Sequence, residues 1–479
     1  MTASVAIVVA VAACRVGPDF APPAAPSART LTATPAKTTE ADGHAQTFTI
    51  GAKVAADWWK LFDSPEVDAL IAECYAGNQD LAAARANVQR SQDSLRAGYA
   101  VFFPELDAHA GASYQRATPI QFGQNAPATT FGLYTLSGTI SYTLDIWGGQ
   151  RRQVEALGAQ VDATRYTLVG LKVMLAANVI DAAIARGAYV AEIETTQQTI
   201  VLEREQLRIT QAQATGGTIP YANVLAIESQ IAATEATIPA LEQKRDQADH
   251  LIATLIGKPP SEQPPAIALE ALTLPENVPV SLPAELVRQR PDVLVAEANL
   301  HTANAQIGVA TAAMLPNLSL SGSLGANNTA LGSLFASNGV FGGVATGLTA
   351  PVFHGGALYY QRRAAIDARD QALASYRQTV LAAFAQVADT LRALVHDADA
   401  LRAQKEAVDS ARQALDLIEA NYRAGIANYL QVIIANEQFL QARLGYIEAV
   451  AQRLQDTVAL YAALGGGWWN VPETARDRT

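Results

Sequence analysis

Residues 80–89 read DLAAARANVQ, and residues 292–301, which lie 212 positions later, read DVLVAEANLH. The motifs FFPEL and MLPNL follow at 102–106 and 314–318 with the same offset. Farther along, a second set of markers begins at Gly217 and recurs after 208 positions. Because the order is kept while the offset drifts only from 212 to 208, the sequence predicts two copies of one supersecondary unit. We expect each copy to contain a short helix, a pair of strands and a long helical hairpin.

The composition favours long packed helices and argues against a nucleic-acid surface. Only 7% of the residues are aromatic and 16% are charged, and the formal net charge is −11 with a pI of about 5.1. No cluster of Lys and Arg is interleaved with aromatic residues, so we expect no nucleic-acid partner. The two cysteines, Cys14 and Cys74, form neither a zinc-binding pattern nor a disulfide framework.

Two stretches in each copy alternate between apolar and polar residues, as half-buried strands do. Between Glu105 and Gln115, and again between Phe131 and Ile146, the even positions are mostly apolar and the odd positions are mostly polar. The sequence thus predicts one strand pair at about 104–146 and a second, with a Gly-rich partner strand, at about 316–353. Any half-buried soluble sheet would satisfy this alternation. The length of the strands and their tyrosines instead favour strands that cross a membrane.

Four such strands cannot close a barrel, since about eight is the smallest number that can. An open sheet edge in lipid would leave backbone groups without hydrogen bonds. We therefore expect a homo-oligomer whose subunits share one barrel around a polar lumen. Glu105, Asp107 and Asp145 are the candidate lumenal charges, and they should favour cations, because fixed charge in a narrow pore concentrates counterions. A reversal potential that indicates anion preference would contradict this hypothesis.

The helices after the strand pairs are predicted to be unusually long. From Gly149 to Gly216, and from Gly356 to Gly425, the sequence contains no proline and keeps a helical apolar period, which corresponds to roughly 100 Å of helix. Apolar residues spaced seven apart, from Leu373 to Tyr422, predict a seam against a coiled-coil partner. A cytoplasmic coiled-coil rod would explain the heptads but not the strands.

The chain is expected to turn after each long helix and to return in helices at about 220–256 and 428–464, the first of them kinked at Pro239. The far ends of the hairpins are where a conduit could narrow, so we expect gating or partner binding there. For Tyr422, packing on the heptad seam is an equal alternative. The candidate residues at these turns are Gly217, Tyr221, Tyr422, Gly425, Asn428 and Gln431.

The chain begins with an apolar run, Val5 to Ala13, that is too short for a permanent membrane helix and predicts a secretory signal peptide. Val11-Ala12-Ala13-Cys14 is similar to the bacterial lipobox, so we predict cleavage before Cys14 and a covalent lipid on its thiol. An ordinary buried cysteine is the alternative. Arg15, where an Asp would favour inner-membrane retention, favours export to the outer membrane. No later window has eighteen continuous apolar residues, so strands would have to cross the membrane.

The predicted organisation is a signal peptide (1–13), a lipidated extended segment (14–60), repeat 1 (61–260), an equatorial linker (261–281), repeat 2 (282–467) and a C-terminal tail (468–479). No convergent nucleophile, acid and base pair or metal-ligand set is visible, and the six histidines are scattered. We therefore expect neither an enzyme nor a cofactor apart from the lipid on Cys14.

Several motifs together resemble the TolC-like outer-membrane factors of the NodT efflux-lipoprotein type. These motifs are CRVGPDF (14–20), DWW (57–59), LDIWG (144–148), RPD (290–292) and YRAG (422–425). The resemblance implies a mixed α and β membrane protein with four transmembrane strands per chain. Three chains would form a twelve-stranded outer-membrane barrel that continues as a periplasmic barrel of long helices.

The resemblance also implies partners: a periplasmic adaptor protein, which docks at the tip of the helical barrel, and an inner-membrane pump of the RND type. In the family, tyrosine and charged residues around the second hairpin turn close the tip. This chain has Tyr422, but Gln431 stands where many relatives have a carboxylate, and Ala427 and Ile434 occupy positions that are charged in some. We therefore expect no acidic ring at that level.

We expect a lipid-anchored, trimeric channel in the outer membrane of a Gram-negative bacterium, serving as the passive exit of a tripartite efflux system for drugs, toxic compounds or metal ions. One alternative, the outlet of a type I protein secretion system, needs the same architecture. The alternative from another class is a lipid-anchored structural or adhesive helical rod. Protein that stays soluble without detergent and gives no conductance would support the rod.

Overall fold

The computed structural model describes residues 15–24, 38–118, 127–262 and 264–470. The predicted signal peptide, the predicted lipid attachment site Cys14 and residues 471–479 of the predicted tail lie outside the described residues.

Nine α-helices and seven β-strands are present in the described residues. The helices are α1 (Pro65–Gly77), α2 (Gln79–Gly98), α3 (Gly149–Thr215), α4 (Ala222–Glu235), α5 (Ile238–Leu255), α6 (Pro283–Gln289), α7 (Pro291–Ala312), α8 (Ala357–Arg423) and α9 (Tyr429–Ala463). The strands are β1 (Thr39–Ala41), β2 (His44–Ile50), β3 (Glu105–Ala117), β4 (Thr129–Leu144), β5 (Asn277–Val280), β6 (Asn317–Asn328) and β7 (Val340–Thr349). Short 3₁₀ helices occupy Trp58–Phe62, Tyr99–Phe102, Leu269–Ala271 and Leu331–Ser333.

The order of elements repeats, as the sequence markers predict. Each copy runs through two helices, an antiparallel strand pair, a helix of 67 residues and a returning helical segment. The returning segment of the first copy is divided, because α4 ends at Glu235 and α5 begins at Ile238 with Pro239 in its first turn. Proline lacks a backbone N–H and is tolerated only in the first turn, so the expected kink is a break between two helices.

The chain divides into two compact units. Unit 1 consists of residues 1–23, 87–164 and 296–376, and unit 2 of residues 24–86, 165–295 and 377–479. Unit 1 contains the four-stranded sheet in the order β3-β4-β6-β7, with every neighbouring pair antiparallel. The outermost strands, β3 and β7, each have one edge without a partner among the described residues. Few side chains of this sheet are buried in the single chain.

Arg152, at the start of α3, holds the N-terminal segment Arg15–Phe20 against unit 1. Its side chain is 1% exposed and donates to the carbonyls of Val16 (3.2 Å) and Gly17 (3.1 Å) and to the carboxylate of Asp19 (2.8 Å). Gly17 has φ +87°, and a Cβ there would lie 2.5 Å from the Cα of Gly308. Only glycine therefore allows this close approach.

Glu155 completes the contact with the N-terminal segment. It accepts hydrogen bonds from Arg152 (2.9 Å) and Arg15, and its other oxygen lies 2.9 Å from Nε2 of His301. The ring of His301 stacks on Phe20 at a centroid distance of 4.2 Å. Burial opposes ionisation of Glu155, but its bonds with His301 and Arg152 prevail, and the pKa of Glu155 lies below its ordinary value.

Unit 2 contains a second sheet, in the order β1-β2-β5, with β1 antiparallel and β5 parallel to β2. These strands lie in the predicted extended segment 14–60 and in the predicted linker 261–281, where the sequence does not indicate them. The core of unit 2 includes Trp58, which is 0% exposed and stacks on Tyr461 at a centroid distance of 5.3 Å. Arg453, which is 1% exposed, donates to Gln46 of β2 at 3.2 Å.

By length and composition, the helix α3 is long and apolar enough to cross a membrane. Within its apolar 18-residue window, 44% is buried inside the chain. It is the single described helix with such a window. The same helix supplies Val179, Ile180 and Ile184, each 0% exposed, to the core of unit 2. Packing within the protein therefore accounts for much of its apolar character.

We predict that Arg152→Met loosens the N-terminal segment and lowers the free energy of unfolding by about 3 kcal/mol, because it removes the buried partner of Glu155 and of two carbonyls. The measurement is unfolding of the detergent-solubilised protein, together with trypsin cleavage at Arg15. Arg96→Met is the matched control, since Arg96 is 73% exposed in its ion pair with Asp93 and should change stability by less than about 0.5 kcal/mol. Equal effects of the two substitutions would contradict the assignment.

Candidate functional site: the strand faces and the hairpin turns

The sheet of unit 1 has a face that is polar on β3, β4 and β6, and the pairing register shows which residues share it. Residues directly opposite one another on neighbouring strands point to the same side of a sheet. One row of the register joins Glu105, Ser141 and Ser321, and a second joins Asp107, Thr139 and Ser323. We call this the polar strand face, formed by Glu105, Asp107, Thr139, Ser141, Ser321 and Ser323. The structure thus places two of the predicted lumenal acids side by side.

The opposite side of the same sheet is apolar. Leu106 pairs with Ile140 on this side, and Leu144 pairs with Leu318, which pairs with Leu348. Leu106 is 79% exposed and Leu348 is 69% exposed in the single chain. We call this side the apolar strand face, formed by Leu106, Ile140, Leu144, Leu318 and Leu348. Aliphatic side chains on a regular sheet face are rarely left this open to water, so this face requires an apolar environment from outside the chain.

Asp145, the third predicted lumenal acid, has a different role in the chain. It lies just after β4, and its carboxylate accepts hydrogen bonds from the backbone N–H groups of Gln150 and Arg151, each at 3.0 Å. The Arg151 side chain also donates to it at 3.0 Å. A carboxylate at a helix N-terminus satisfies free N–H groups and interacts favourably with the helix dipole. Because its charge is compensated by Arg151, only Glu105 and Asp107 remain as candidate free charges.

In unit 2, the two long helices end in the same type of turn. Gly217 has φ +72° and Gly425 has φ +75°. Gly217 N–H donates to Ala214 and Thr218 N–H to Gln213, each at 3.0 Å. The corresponding bonds of the second turn run from Gly425 to Tyr422 and from Ile426 to Asn421, at 3.0 and 2.8 Å. Both pairs form the Schellman pattern, in which a glycine in the left-handed region closes a helix.

Tyr422 connects the two turns. Its hydroxyl donates to Oε1 of Gln213, which lies in the last turn of α3, at 2.8 Å. Its ring contacts Tyr429, at the start of α9, edge to face at a centroid distance of 5.7 Å. Tyr429 in turn packs in a cluster with Ile227 of α4. Tyr422 therefore both packs on the seam and ties the ends of the two long helices together.

Asn428 and Gln431 form a reciprocal capping box at the start of α9. The Asn428 side chain accepts from the backbone N–H of Gln431 at 3.1 Å, and Oε1 of Gln431 accepts from the backbone N–H of Asn428 at 3.0 Å. Gln431 thus has a structural function in the second turn. Tyr221 and Ile426 extend from the turns with 64% and 78% of their surfaces exposed.

Gln213 was not identified from the sequence. It lies in the repetitive stretch TQAQAT (210–215), where no local pattern distinguishes the glutamine that faces Tyr422 from its neighbour. The sequence indicates only that the two turns, at Gly217 and Gly425, occupy equivalent positions in the two copies. It does not indicate which of their side chains meet.

The sequence profile of the outer membrane efflux protein family matches residues 70–258 and 282–466, which correspond to the two copies described above. The chain belongs to this family. It is 31% identical to the pyoverdine export outer membrane protein OpmQ of Pseudomonas putida over 415 residues, covering 86% of this chain and 88% of that protein. It is 28% identical to the outer membrane protein OprJ of Pseudomonas aeruginosa, covering 96% and 95% of the two chains.

Among solved structures, the outer-membrane channel OprN superposes with a TM-score of 0.85 at 29% identity, covering 95% of this chain and 100% of that one. As a member of the outer membrane efflux protein family, this protein is an efflux channel of the Gram-negative outer membrane. The predicted fold class, two helical repeats that each carry a strand pair, and the predicted function are both confirmed.

We predict that Gly425→Val disrupts the second turn, because a β-branched residue at φ +75° costs at least about 1–2 kcal/mol. An added Cβ would meet no atom within 4 Å, so the cost is conformational rather than steric. Gly425→Asn is the matched control, since asparagine tolerates the left-handed region. The backbone amides at positions 425 and 426 should exchange faster in the valine variant, whereas the asparagine variant should keep their protection. Unchanged protection in Gly425→Val would contradict the role assigned to this glycine.

Proposed function

We propose that three copies of this chain share one closed barrel of twelve strands in the outer membrane, and that the long helices continue it as a periplasmic tunnel. The unpaired outer edges of β3 and β7 are the observation that supports this arrangement. In lipid those edges must be hydrogen-bonded, and four strands are too few to pair with themselves. Joining β7 of one subunit to β3 of the next satisfies every edge.

The two strand faces fit the same arrangement. The apolar strand face would contact lipid, which supplies the apolar environment that the single chain lacks. The polar strand face would line the lumen with hydroxyl groups and with the carboxylates of Glu105 and Asp107. Transport is then passive diffusion through a water-filled channel, with no catalytic step and no cofactor.

The partners that we propose are a periplasmic adaptor protein and an inner-membrane pump of the RND type, which supplies the energy. The adaptor would dock at the hairpin turns, where Tyr221 and Ile426 are exposed. One relative named above is a pyoverdine export protein, and another, from Pseudomonas putida, is named as a toluene efflux pump component. We therefore favour small molecules over polypeptides as cargo.

The test is a recording of ion conductance in planar bilayers that contain the purified protein. We expect stable conductance with a preference for cations, and a reduced preference in the double variant Glu105→Gln and Asp107→Asn, because two lumenal charges per subunit are lost. Glu285→Gln, an exposed acid at the start of α6, is the control. The absence of conductance would contradict the channel, whereas anion preference in the unaltered protein would contradict only the role of the two acids.

We also propose that Cys14 carries the lipid. The residues that directly follow it, Arg15–Phe20, are held against unit 1 by hydrogen bonds from Arg152 and Asn304, so a lipid on Cys14 would be tied closely to this unit. The other cysteine, Cys74, is 0% exposed, and burial raises the pKa of its thiol to about 11, which keeps it neutral.

We predict that radiolabelled palmitate enters the protein in growing cells and that Cys14→Ser abolishes the label. Cys74→Ser is the matched control and should be labelled like the unaltered protein, since a buried neutral thiol is not a substrate for lipid transfer. Labelling that persists in Cys14→Ser would contradict the proposed anchor.

A further inference from the structure

Glu203, on α3, is a buried acid without a charged partner. It is 3% exposed, and its Oε2 has no hydrogen-bond partner. Its Oε1 accepts a long hydrogen bond, 3.4 Å, from the hydroxyl of Thr234 on α4. Thr234 is itself 3% exposed. This carboxyl group is therefore removed from water and only weakly compensated.

Glu203 lies among the helices that form the hairpin turns of unit 2. Ile200, one turn earlier on α3, packs in a cluster with Ile227 and Ile231 of α4 and with Tyr429 and Val432 of α9. Tyr422 of α8 packs on the same cluster. Glu203 thus lies beside the aromatic pair that connects the two turns.

The groups that face Glu203 do not neutralise it. On α4, Thr234 donates a hydrogen bond to it and Gln230 donates one to Thr234, whereas Glu235 adds a second negative charge. The charge of Glu235 is shared with Arg204, which lies 2.6 Å from it. On α9, the hydroxyl of Tyr429 interacts electrostatically with Glu203 and, in turn, with the hydroxyl of Tyr422 on α8. Among the described residues, no Lys or Arg forms an ion pair with Glu203.

We propose that Glu203 is a proton-sensitive element of the channel tip: its neutral form keeps α3 packed against α4 and α9, and its ionisation favours their separation and the opening of the channel. This inference rests on the proposed function, because it assigns a regulation to the hairpin turns of that channel. An ionised carboxylate is poorly tolerated without water or a cation, and separating the helices would supply water.

The direction of the effect follows from linkage. Burial raises the pKa of Glu203 above its ordinary value, Thr234 and Gln230 oppose this in part, and Glu235 adds to it. The packed arrangement therefore binds the proton more tightly than an arrangement in which Glu203 is hydrated. The free energy of packing therefore becomes less favourable as the pH rises from the ordinary pKa of a glutamic acid to the higher pKa that Glu203 has in the packed arrangement. Above that higher pKa it changes no further, because Glu203 is ionised in both arrangements. Each pKa unit of difference permits about a tenfold increase in the ratio of open to closed channels per subunit.

The experiment is a recording of open probability in planar bilayers from about pH 4 to about pH 8. Three proteins are compared: the unaltered chain, Glu203→Gln and Glu205→Gln. Glu205 is an exposed acid two residues away, paired with Arg208 at 2.7 Å, and is the matched control. We expect open probability to rise with pH in the unaltered protein and in Glu205→Gln. In Glu203→Gln it should be lower at neutral pH and should rise less with pH than in the other two proteins.

Other, half-buried acids of unit 2 titrate in this range, which is why the comparison of variants matters. Burial raises the pKa of Asp181 and of Asp397 to about 7, and both lie close to Asp456. Any contribution from these groups is common to all three proteins. The difference between the unaltered protein and Glu203→Gln therefore isolates Glu203.

A pH profile of Glu203→Gln that coincides with that of the unaltered protein would overturn the proposal. If the glutamine variant fails to assemble, the second test uses Glu203→Met and measures hydrogen exchange at the backbone amide of Tyr429. Protection of this amide that falls with pH equally in Glu203→Met and in the unaltered protein would also overturn the proposal. Absence of conductance in all three proteins would instead contradict the proposed channel. The two failures are thus distinguishable.

Discussion

The main constraint on this molecule is that lipid offers no hydrogen bonds to a backbone. The strands β3, β4, β6 and β7 pair fully with one another, but the two outer edges of the sheet have no partner within the described chain. The residue alternation that predicts the strands also produces two faces that suit opposite solvents. A single subunit can satisfy neither the edges nor the apolar strand face. The proposed trimer follows from these two deficits, because it closes the edges and gives each face its own environment.

In unit 2 the backbone at the helix ends is satisfied by different means. The Schellman turns at Gly217 and Gly425 and the capping box of Asn428 and Gln431 close the ends of α3, α8 and α9 locally. Each turn is therefore a unit that can move without breaking its own hydrogen bonds. The contacts between the two turns are made by side chains: Tyr422 donates a hydrogen bond to Gln213, and Tyr429 packs with Ile227. Motion that opens a channel here would break these side-chain contacts and leave the turns intact.

The features readable from the sequence were those with a local period. Strict alternation locates β3 and β4, and the absence of proline over 67 residues locates α3 and α8. The sheet of unit 2 has no such signal, because β1 and β5 are three and four residues long and β5 pairs with β2 across more than 200 residues of sequence. Asp145 illustrates a similar limit. Its place after an alternating strand suggested a lumenal charge, but the start of α3 four residues later makes it a helix cap. Side-chain partners such as Gln213 depend on tertiary contacts alone.

The buried acids of unit 2 oppose the packing of its helices. Burial raises the pKa of Asp181 and Asp397 to about 7. Their contribution to the free energy of unfolding is therefore most favourable below the ordinary pKa of an aspartic acid and declines as the pH rises towards 7. Apolar residues of similar volume would pack without this cost. Regions of a protein that must move are drawn from its less stable parts. The proposed opening of the channel is consistent with this rule, because the acids within its helices limit the stability of the packed arrangement and make it depend on protons.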